Sequence, residues 1–487
     1  MTGPSPTAPP STQGSRWLGS VKPAETPIHT THPTPQKVLK MTTNDTSTPN
    51  LAKPRIGGSG IFSAATGNAV EAYDWSVYAL YATFIAKQMF SPDDPASAFL
   101  STLAVFAVGF AARPLGGWLF GWIGDSMGRK TSMMLCIGLA SLGSLIVAVT
   151  PDYGTIGGWA SFILVIARLL QGLAHGGEFP TAQTYIAEVV PAQSRGFWSS
   201  AIYFSATAGI VFATIMGAIL SSFINNQAMA SFGWRVPFAV GAILGLYALI
   251  MRLRMPESEA FEASKAQKGT GKTSLWTSVV QHWREALQVI GLTLGLTIAF
   301  YTWNVSAPSM AMSVHKVNPS EALWAGTAAN VLFLFFLPFW GRVSDKIGRK
   351  PVLAVGFLGA AAAHFPAISL LDNTGFRLAL AMTIVMFFIA AVASIIPAVF
   401  AEIFPTAIRN VGVAVPYSIC VALFGGTAAF IQAGLNQAMG QAAGATAFGI
   451  YVAVSLVGSA VTVLTLRETR GSNIHDATLP PVAARVS

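Results

Sequence analysis

Charge is scarce in this sequence: 10% of its 487 residues are Asp, Glu, Lys or Arg, whereas 53% are hydrophobic. Soluble domains carry about 25% charged residues, so this composition excludes a water-soluble globule and predicts a protein whose solvent is lipid. Cysteine is scarce as well. Its two copies, Cys136 and Cys420, lie inside apolar runs, which excludes a disulfide framework and a Cys-x-x-Cys metal site.

The sequence patterns of enzymes are also missing. The chain has no Gly-x-x-x-x-Gly-Lys-Ser/Thr phosphate loop, which leaves direct coupling to ATP without support. It shows no set of nucleophile, base and oxyanion donors, and His175 with Glu178 lacks the further ligands that a zinc site needs. We therefore predict that the protein is not an enzyme and has neither a metal nor a cofactor.

Twelve apolar runs are present, each near the roughly 20-residue length that crosses a bilayer. Their approximate ranges are 61–87, 98–120, 131–150, 158–187, 197–223, 234–253, 287–312, 321–341, 351–371, 376–402, 410–435 and 445–466. They predict an all-α membrane protein with twelve transmembrane helices, arranged in two halves of six helices each.

The polar stretches around these runs predict five regions. They are a disordered cytoplasmic tail at 1–55, a first six-helix half at 56–254, a cytoplasmic linker at 255–286, a second six-helix half at 287–467 and a short cytoplasmic tail at 468–487. The first tail is rich in Pro, Thr and Ser and lacks the apolar core of a signal peptide. Met41 is a second candidate start of translation.

The basic residues fall mostly on one side of the predicted bundle. With the N-terminus placed inside, 23 of the 29 Lys and Arg lie on the cytoplasmic side, which is the positive-inside bias of membrane proteins. This topology accounts for the net charge of +9, so no nucleic-acid partner is expected. We predict a multi-pass protein of the plasma or inner membrane with both termini in the cytoplasm.

Two pairs of cytoplasmic segments repeat each other across the halves. Residues 121–130, Gly-Trp-Ile-Gly-Asp-Ser-Met-Gly-Arg-Lys, match residues 341–350, Gly-Arg-Val-Ser-Asp-Lys-Ile-Gly-Arg-Lys, at an offset of 220. Residues 187–195 match residues 401–409 at an offset of 214. The sequence therefore indicates two similar helical bundles in one chain, as in many carriers that build two halves around a central site.

The charged residues of these repeats are candidate gating residues. They are Asp125, Arg129, Glu188, Arg195, Asp345, Arg349, Glu402 and Arg409. Charge pairs among them can form when the cytoplasmic side closes and break when it opens, which would bias two access states. Two plainer interpretations stay open: basic loops that only set the topology, and solvated pairs that contribute about 0–1 kcal/mol.

Two predicted helices carry polar faces inside the membrane. The residues of the fourth helix, spaced 0, 3, 7 and 10, are Arg168, Gln171, His175 and Glu178. Those of the first helix, with the same spacing, are Glu71, Asp74, Tyr78 and Tyr81. At 100° per residue each set falls within an arc of about 80°. Charged groups at a helix centre cost about 2.5–3.5 kcal/mol in lipid, so these faces are expected to line a cavity or to pair.

These residue types suggest two roles. The candidates for binding an anionic substrate are Arg113 of the second helix together with Arg168, Tyr78 and Gln171. The candidates for proton coupling are Glu178, Asp74, Glu71 and His175. Glu178 comes first among them because removal from water favours the neutral form of a carboxyl group, and His175 is placed to relay protons to it. A static network of ion pairs that only joins helices is the alternative.

The second half does not repeat this charge pattern. At the 214 offset, the tenth helix has apolar residues where the fourth has charged or titratable ones, namely Met382, Ile389 and Val392. We therefore expect ion coupling in the first half and substrate contacts of apolar and aromatic character from the second. The candidates on the seventh helix are Tyr301, Trp303 and Asn304, and core packing is an equally open role for them.

The repeated loops, with their Gly-x-x-x-Asp-x-x-Gly-Arg-Lys pattern, resemble the signature loops of the major facilitator superfamily. Five further stretches resemble its metabolite:proton symporter family, at 67–78, 113–117, 168–172, 176–178 and 233–238. The resemblance covers about residues 60–470. It implies two halves that rock around a midplane site. Members of this family carry α-ketoglutarate, citrate, shikimate, or proline and betaine.

Within that family, residues 105–113 and 300–302 are most similar to α-ketoglutarate permeases. Pro308 and Ser309 stand where those permeases carry a lysine. The resemblance implies a monomeric secondary active transporter that takes up a small organic anion, such as α-ketoglutarate or a related di- or tricarboxylate, by proton symport. Its expected partners are the substrate, protons and the lipid bilayer, and no cofactor beyond the proton gradient is expected.

Three alternatives remain open at this point. The same scaffold serves proton symporters of zwitterionic compatible solutes such as proline or betaine, and symporters of shikimate. In a different class, a channel or a nontransporting receptor can reuse the fold.

Overall fold

The computed structural model describes residues 58–91, 95–224, 226–259, 261–262, 281–472 and 474. Twelve long helical segments, named α1 to α12, follow one another within these residues. Their bounds are Gly58–Met89, Pro95–Ser126, Arg129–Val149, Gly158–Val189, Ala201–Phe223, Val236–Leu253, Trp283–Phe300 continued by Tyr301–Ser306 and Ala307–Val314, Pro319–Ile347, Arg349–Ser369, Gly375–Ile403, Arg409–Cys420 continued by Val421–Gly425 and Ala428–Met439, and Gln441–Thr465. The predicted twelve-helix fold is confirmed. The predicted tail at 1–55 lies outside the described residues, as does most of the predicted linker.

Short helical turns lie at the ends of the long helices. They are Tyr153–Ile156, Ala192–Ser194, Arg195–Ser199, Asn226–Ser231 and Gly233–Arg235. We call the end of the bundle that carries the two repeated loops the signature-loop end. The segment Arg195–Ser199 lies at this end and leads into α5.

The helices suit a membrane environment. Ten of the described helical stretches are long and apolar enough to cross a bilayer. The first helix, α1, carries Glu71 and Asp74 in its middle, which lowers its hydropathy, and the apolar part of α11 is the shorter stretch Arg409–Gly425. Large apolar side chains such as Phe223 and Phe335 are exposed on the bundle, as contact with lipid tails requires. The chain is therefore a multi-pass membrane protein.

Two helices of the second half change their winding in the middle. Tyr301–Ser306 in α7 and Val421–Gly425 in α11 form π-helical turns. Such turns are rare and occur often at functional sites. Apolar periodicity along the sequence does not reveal them, and the predicted spans run straight through both.

Glycines bring α2 and α4 into backbone contact. A Cβ atom on Gly172 would lie 2.1 Å from the carbonyl oxygen of Gly109, and one on Gly176 would lie 2.1 Å from that of Arg113. Small residues allow this approach in membrane bundles. The contact places the polar residues of α4 directly beside Arg113.

Gly128, in the turn from α2 to α3, has a φ of 108°, which L-residues rarely adopt. A Cβ atom here would also lie 2.1 Å from Oε2 of Glu257. We expect Gly128→Ala to lower the free energy of unfolding by about 1–3 kcal/mol, measured as a lower melting temperature of the purified protein. Gly138→Ala is the control, because no atom lies within 4 Å of its Cβ position. Equal melting temperatures for the two variants would contradict this expectation.

Candidate functional site: a central cavity and two interhelical charge clusters

A central cavity of about 210 Å³ lies between the two halves. Residues of α1, α2, α4 and α5 line it from the first half, and residues of α7 and α11 line it from the second. Much of its wall consists of aromatic rings, including Trp75, Phe110, Tyr203, Tyr301 and Tyr417. Ligand sites typically combine such an apolar wall with a few placed polar groups.

Arg113 supplies a permanent positive charge to this wall. Its guanidinium carbon lies 4.2 Å from the ring centre of Trp75 and 3.9 Å from that of Phe110. The side chain is buried, and its Nε and Nη2 atoms have no hydrogen-bond partner among the described residues. Donors left in this state are suited to a ligand that carries a carboxylate.

His175 and Glu71 meet beside Arg113. Nδ1 of His175 lies 3.1 Å from Oε1 of Glu71, and the imidazole stacks on Trp75 with ring centres 5.5 Å apart. Neither carboxylate oxygen of Glu71 accepts a hydrogen bond from a described residue. His175 itself lines the cavity, so this pair of titratable groups lies at the cavity wall.

Arg168 lies deeper than Arg113. It is fully buried, and its guanidinium carbon lies 4.2 Å from the ring centres of both Trp75 and Tyr78. Its Nη1 donates to Oε1 of Gln171 at 2.7 Å. None of Arg168, Tyr78 and Gln171 is among the residues that line the cavity. The rings of Trp75 and Tyr78 cover the guanidinium, and the substrate contact of these three residues stays a prediction.

Asp74 ends a chain of hydrogen bonds that starts at Arg168. Nε2 of Gln171 donates to Oγ of Ser144 at 2.7 Å, and this hydroxyl donates to Oδ2 of Asp74 at 2.6 Å. A Cβ atom on Gly241 of α6 would lie 2.0 Å from the other carboxylate oxygen of Asp74. Asp74 thus joins α1 to α3 and α6 and lies away from the cavity.

Glu178 forms an ion pair with Arg252 of α6. Nη1 of Arg252 donates to Oε2 of Glu178 at 2.9 Å, and Nη2 donates to Oε1. Arg252 is fully buried. From its position near the end of a predicted span, it was expected to be one of the basic residues on the cytoplasmic side. The expected relay from His175 to Glu178 is not formed, because each of the two residues contacts a different partner.

The seventh helix presents one of its three candidates to the cavity. Tyr301 lines it, whereas Trp303 and Asn304 are buried against neighbouring helices. Nε1 of Trp303 donates to Nδ1 of His364 at 3.1 Å, and Nδ2 of Asn304 donates to Oδ1 of Asn330 at 3.2 Å. Trp303 and Asn304 do not line the cavity in this conformation, since their side chains point into the second half, and their substrate contacts stay a prediction.

Comparison with known proteins places this architecture. A family model described as "Sugar (and other) transporter" matches residues 60–290, and the model of the "Major Facilitator Superfamily" matches residues 292–484. The Alpha-ketoglutarate permease of Escherichia coli (strain K12) is 34% identical over 85% of this chain and 95% of its own length. The chain belongs to the major facilitator superfamily. It is accordingly a membrane transporter and not an enzyme.

Other relatives of this superfamily member differ in the substrates that they are named for. The Putative proline/betaine transporter of Staphylococcus haemolyticus is 31% identical over 87% of this chain and 91% of its own length. The Citrate-proton symporter of Klebsiella pneumoniae is 30% identical over 80% of this chain and 87% of its own length.

The fold agrees with solved structures of the proton:xylose symporter XylE. The structure bound to 6-bromo-6-deoxy-D-glucose has a TM-score of 0.73 at 21% identity, covering 87% of this chain and 98% of that one. An inward open structure of XylE from E. coli has a TM-score of 0.59 at 21% identity, covering 86% of this chain and 99% of that one.

The first charge cluster joins the two halves of this superfamily member at the signature-loop end. Arg129 donates to Oδ1 of Asp125 at 2.9 Å and to Oε1 of Glu188 at 3.1 Å. Arg409 of α11 donates to the same oxygen of Glu188 at 2.8 Å. The carboxylate of Asp125 also accepts the backbone N–H groups of Asn410 and Val411 at the start of α11, where the helix dipole favours a negative charge.

The second charge cluster repeats this arrangement with the halves exchanged. Asp345 accepts the backbone N–H groups of Gly196 and Phe197, just before α5, at 2.8 and 2.9 Å. Arg349 donates to Asp345 and to Glu402, and Arg195 donates to Oε1 of Glu402 at 2.9 Å. The eight predicted gating residues thus form two clusters, which are buried except for the partly exposed Asp345, and both clusters join the halves at this end.

Sequence reasoning missed two carboxylates of these clusters. Glu257 accepts the first two backbone N–H groups of α3, and Glu468 accepts those of α9. Burial raises the pKa of Glu257, whereas at Glu468 the backbone hydrogen bonds and the charge of Arg349 outweigh burial and lower the pKa. The two residues occupy equivalent places, one after α6 and one after α12, and they are 211 residues apart. This spacing is close to the offsets of the repeated segments, and it was the signal that could have revealed them.

We expect Asp125→Asn to open the signature-loop end more often, because the neutral amide loses its charge pairing with Arg129 and weakens the contact with α11. The measurement is the alkylation rate of Ser418→Cys, in a chain whose Cys136 and Cys420 are replaced by alanine. Ser418 is buried and donates to the Gly176 carbonyl across the halves. We expect the rate to rise several-fold.

Asp372→Asn is the control for this test. Asp372 forms a more exposed pair with Arg377, outside both clusters, so its loss should leave the alkylation rate unchanged. An unchanged rate in Asp125→Asn as well would refute the gating role of the first cluster.

Proposed function

We propose that this transporter takes up a small organic anion together with protons, by rocking its two halves around the central cavity. The observation that carries the proposal is Arg113, a buried cation with unpartnered donors on the cavity wall. The names of the α-ketoglutarate and citrate relatives make α-ketoglutarate and related di- and tricarboxylates the first substrates to test. No nucleotide is needed in this scheme, because the proton gradient supplies the energy.

The two charge clusters support alternating access in this proposal. They hold the signature-loop end closed in the described conformation, and their separation would open the cavity at that end. In the proposed orientation this end and both termini are cytoplasmic, in the plasma or inner membrane. A monomer suffices for the cycle, because both halves belong to one chain.

The pair Glu71 and His175 is the best placed of the proton-coupling candidates. His175 lines the cavity and contacts Glu71, whereas Glu178 is held by Arg252 and Asp74 by Ser144. A proton on this pair would remove the negative charge of Glu71 near Arg113, so that this charge no longer opposes the binding of the substrate carboxylate to Arg113. Proton and substrate then bind together, as symport requires.

We expect Glu71→Gln to exchange substrate across vesicle membranes but to lose accumulation driven by a pH gradient, because the amide cannot take up and release the proton. Uptake with and without an imposed gradient, next to counterflow of labelled substrate, separates the two activities. Asp74→Asn is the matched control on the same helix, and we expect it to keep gradient-driven accumulation. Full accumulation by Glu71→Gln would place the proton elsewhere.

The test of the proposed function is uptake into vesicles of labelled α-ketoglutarate, citrate, shikimate and betaine, with and without a proton gradient. We expect gradient-dependent accumulation of at least one carboxylate. Flux that follows only the substrate gradient would indicate a channel, and binding without flux would indicate a receptor.

Symport of a zwitterion is the second candidate. Aromatic rings attract quaternary ammonium groups, and the cavity offers several of them beside Arg113, including Tyr301 and Tyr417. A relative is named as a putative proline/betaine transporter. Accumulation of betaine or proline, in preference to the anions, would favour this function.

A further inference from the structure

The cavity has an uneven distribution of charge. Among the described residues that line it, Arg113 is the one with a permanent charge, and it belongs to the first half. The lining residues of the second half are neutral and mostly apolar, among them Phe300, Tyr301, Tyr417 and Val421. A ligand in the cavity therefore meets one permanent cation, on the first-half wall, and an uncharged, mostly apolar wall on the side of the second half.

A second cation, Arg168, is close but does not line the cavity. Arg168 is fully buried and is covered by Trp75 and Tyr78. Its Nη1 donates to Gln171, whereas its Nε and Nη2 have no hydrogen-bond partner among the described residues. Of the groups near Arg113, Glu71 is acidic and would repel a second carboxylate. His175, the histidine on the cavity wall, is in contact with Glu71.

From this asymmetry we infer that the site selects small acids with one carboxylate on an apolar body over dicarboxylates and tricarboxylates. The carboxylate binds Arg113 and the apolar part packs against the rings of α7 and α11. A second carboxylate would lose its water against an uncharged wall, and a buried charge without a partner is strongly unfavourable. The inference rests on the proposed uptake of a small organic anion, and within that class it replaces the di- and tricarboxylates suggested by the names of the relatives with monocarboxylates.

A matched pair of ligands tests the inference. In 5-methyl-2-oxohexanoate an isopropyl group replaces the second carboxylate of α-ketoglutarate, with nearly the same size and shape. Both acids are fully ionised at pH 7.5. We expect the purified protein to bind the monocarboxylate about tenfold or more tightly, which corresponds to about 1.4 kcal/mol, as measured by ligand-induced shifts of the melting temperature and by competition.

A charge added to the second-half wall should reverse this preference. Ser306 lines the cavity from α7 and is half-buried, so Ser306→Lys adds an ammonium group to the second-half wall. We expect it to bind α-ketoglutarate at least about tenfold more tightly than the unchanged protein does. Ser306→Met, of similar length without charge, is the control and should keep the preference for the monocarboxylate.

The outcomes separate the inference from the proposed function. The inference is overturned if the unchanged protein binds α-ketoglutarate as tightly as 5-methyl-2-oxohexanoate or more tightly. Gradient-driven uptake of α-ketoglutarate would in that case still support the proposed symport. Binding of neither acid, combined with gradient-driven uptake of betaine, also overturns the inference. If no compound accumulates under any gradient, both the inference and the proposed function fail.

Discussion

Arg113→Gln is expected to reduce gradient-driven uptake of the substrate about 100-fold or more. The guanidinium is the permanent charge on the cavity wall, and loss of one partner from a buried, hydrogen-bonded charge pair costs about 2–5 kcal/mol. With about 1.4 kcal/mol per tenfold change, this range includes a 100-fold loss. Initial rates of uptake into proteoliposomes, at substrate concentrations around the KM of the unchanged protein, measure the effect.

Arg113→Lys is the matched variant for this prediction. It keeps the positive charge but lacks the planar fork that binds a carboxylate through two hydrogen bonds, so an intermediate loss is expected. The melting temperature of each variant separates a binding defect from unfolding, because Arg113 also packs between Trp75 and Phe110. Uptake by a folded Arg113→Gln at the normal rate would contradict the assigned anion site.

Arg252→Met is expected to destabilise the protein by about 3–5 kcal/mol, because it leaves the buried carboxylate of Glu178 without its partner. Arg252 also occupies the space beside Gly67, where a Cβ atom would lie 1.7 Å from its Nη2. The side chain therefore joins α1, α4 and α6. A strong fall in melting temperature, or loss of folded protein from the membrane, is the expected result.

The double variant Glu178→Gln with Arg252→Met removes both charges of this pair. Because no carboxylate is then left unpaired, we expect most of the lost stability to return. Proton-driven uptake by the stable double variant would show that Glu178 is not the proton carrier. A double variant as unstable as Arg252→Met alone would contradict the ion-pair explanation.

Most of the fold follows from local properties of the chain. Apolar runs predicted the twelve helices, although α2 extends beyond the predicted span 98–120, to Pro95–Ser126. The duplicated segments predicted charge pairs at matching cytoplasmic ends, and the structure shows two equivalent clusters there, with Asp125 and Asp345 at the start of helices of the opposite half. Repetition in sequence revealed these clusters because both copies keep the same residue types in the same register.

The candidate site was less predictable. Spacing along α1 and α4 showed correctly that polar residues share a face, yet those faces split among several partners. The partner of Glu178 is Arg252, 74 residues later, and the partner of His175 is Glu71 rather than Glu178. Helical periodicity defines the direction of a side chain around its own helix axis, but it does not define which neighbouring helix that side chain faces.

Composition, charge bias and internal repetition determined the membrane class, the helix number and the two equivalent loop ends, because these are properties of the chain read along its length. Only the tertiary structure decided that Arg113 faces the cavity while Arg168 is covered, and that the second-half wall is uncharged. Those outcomes depend on how helices rotate and pack against segments far away in sequence, and glycine contacts such as that of Gly176 with the backbone of Arg113 set that packing.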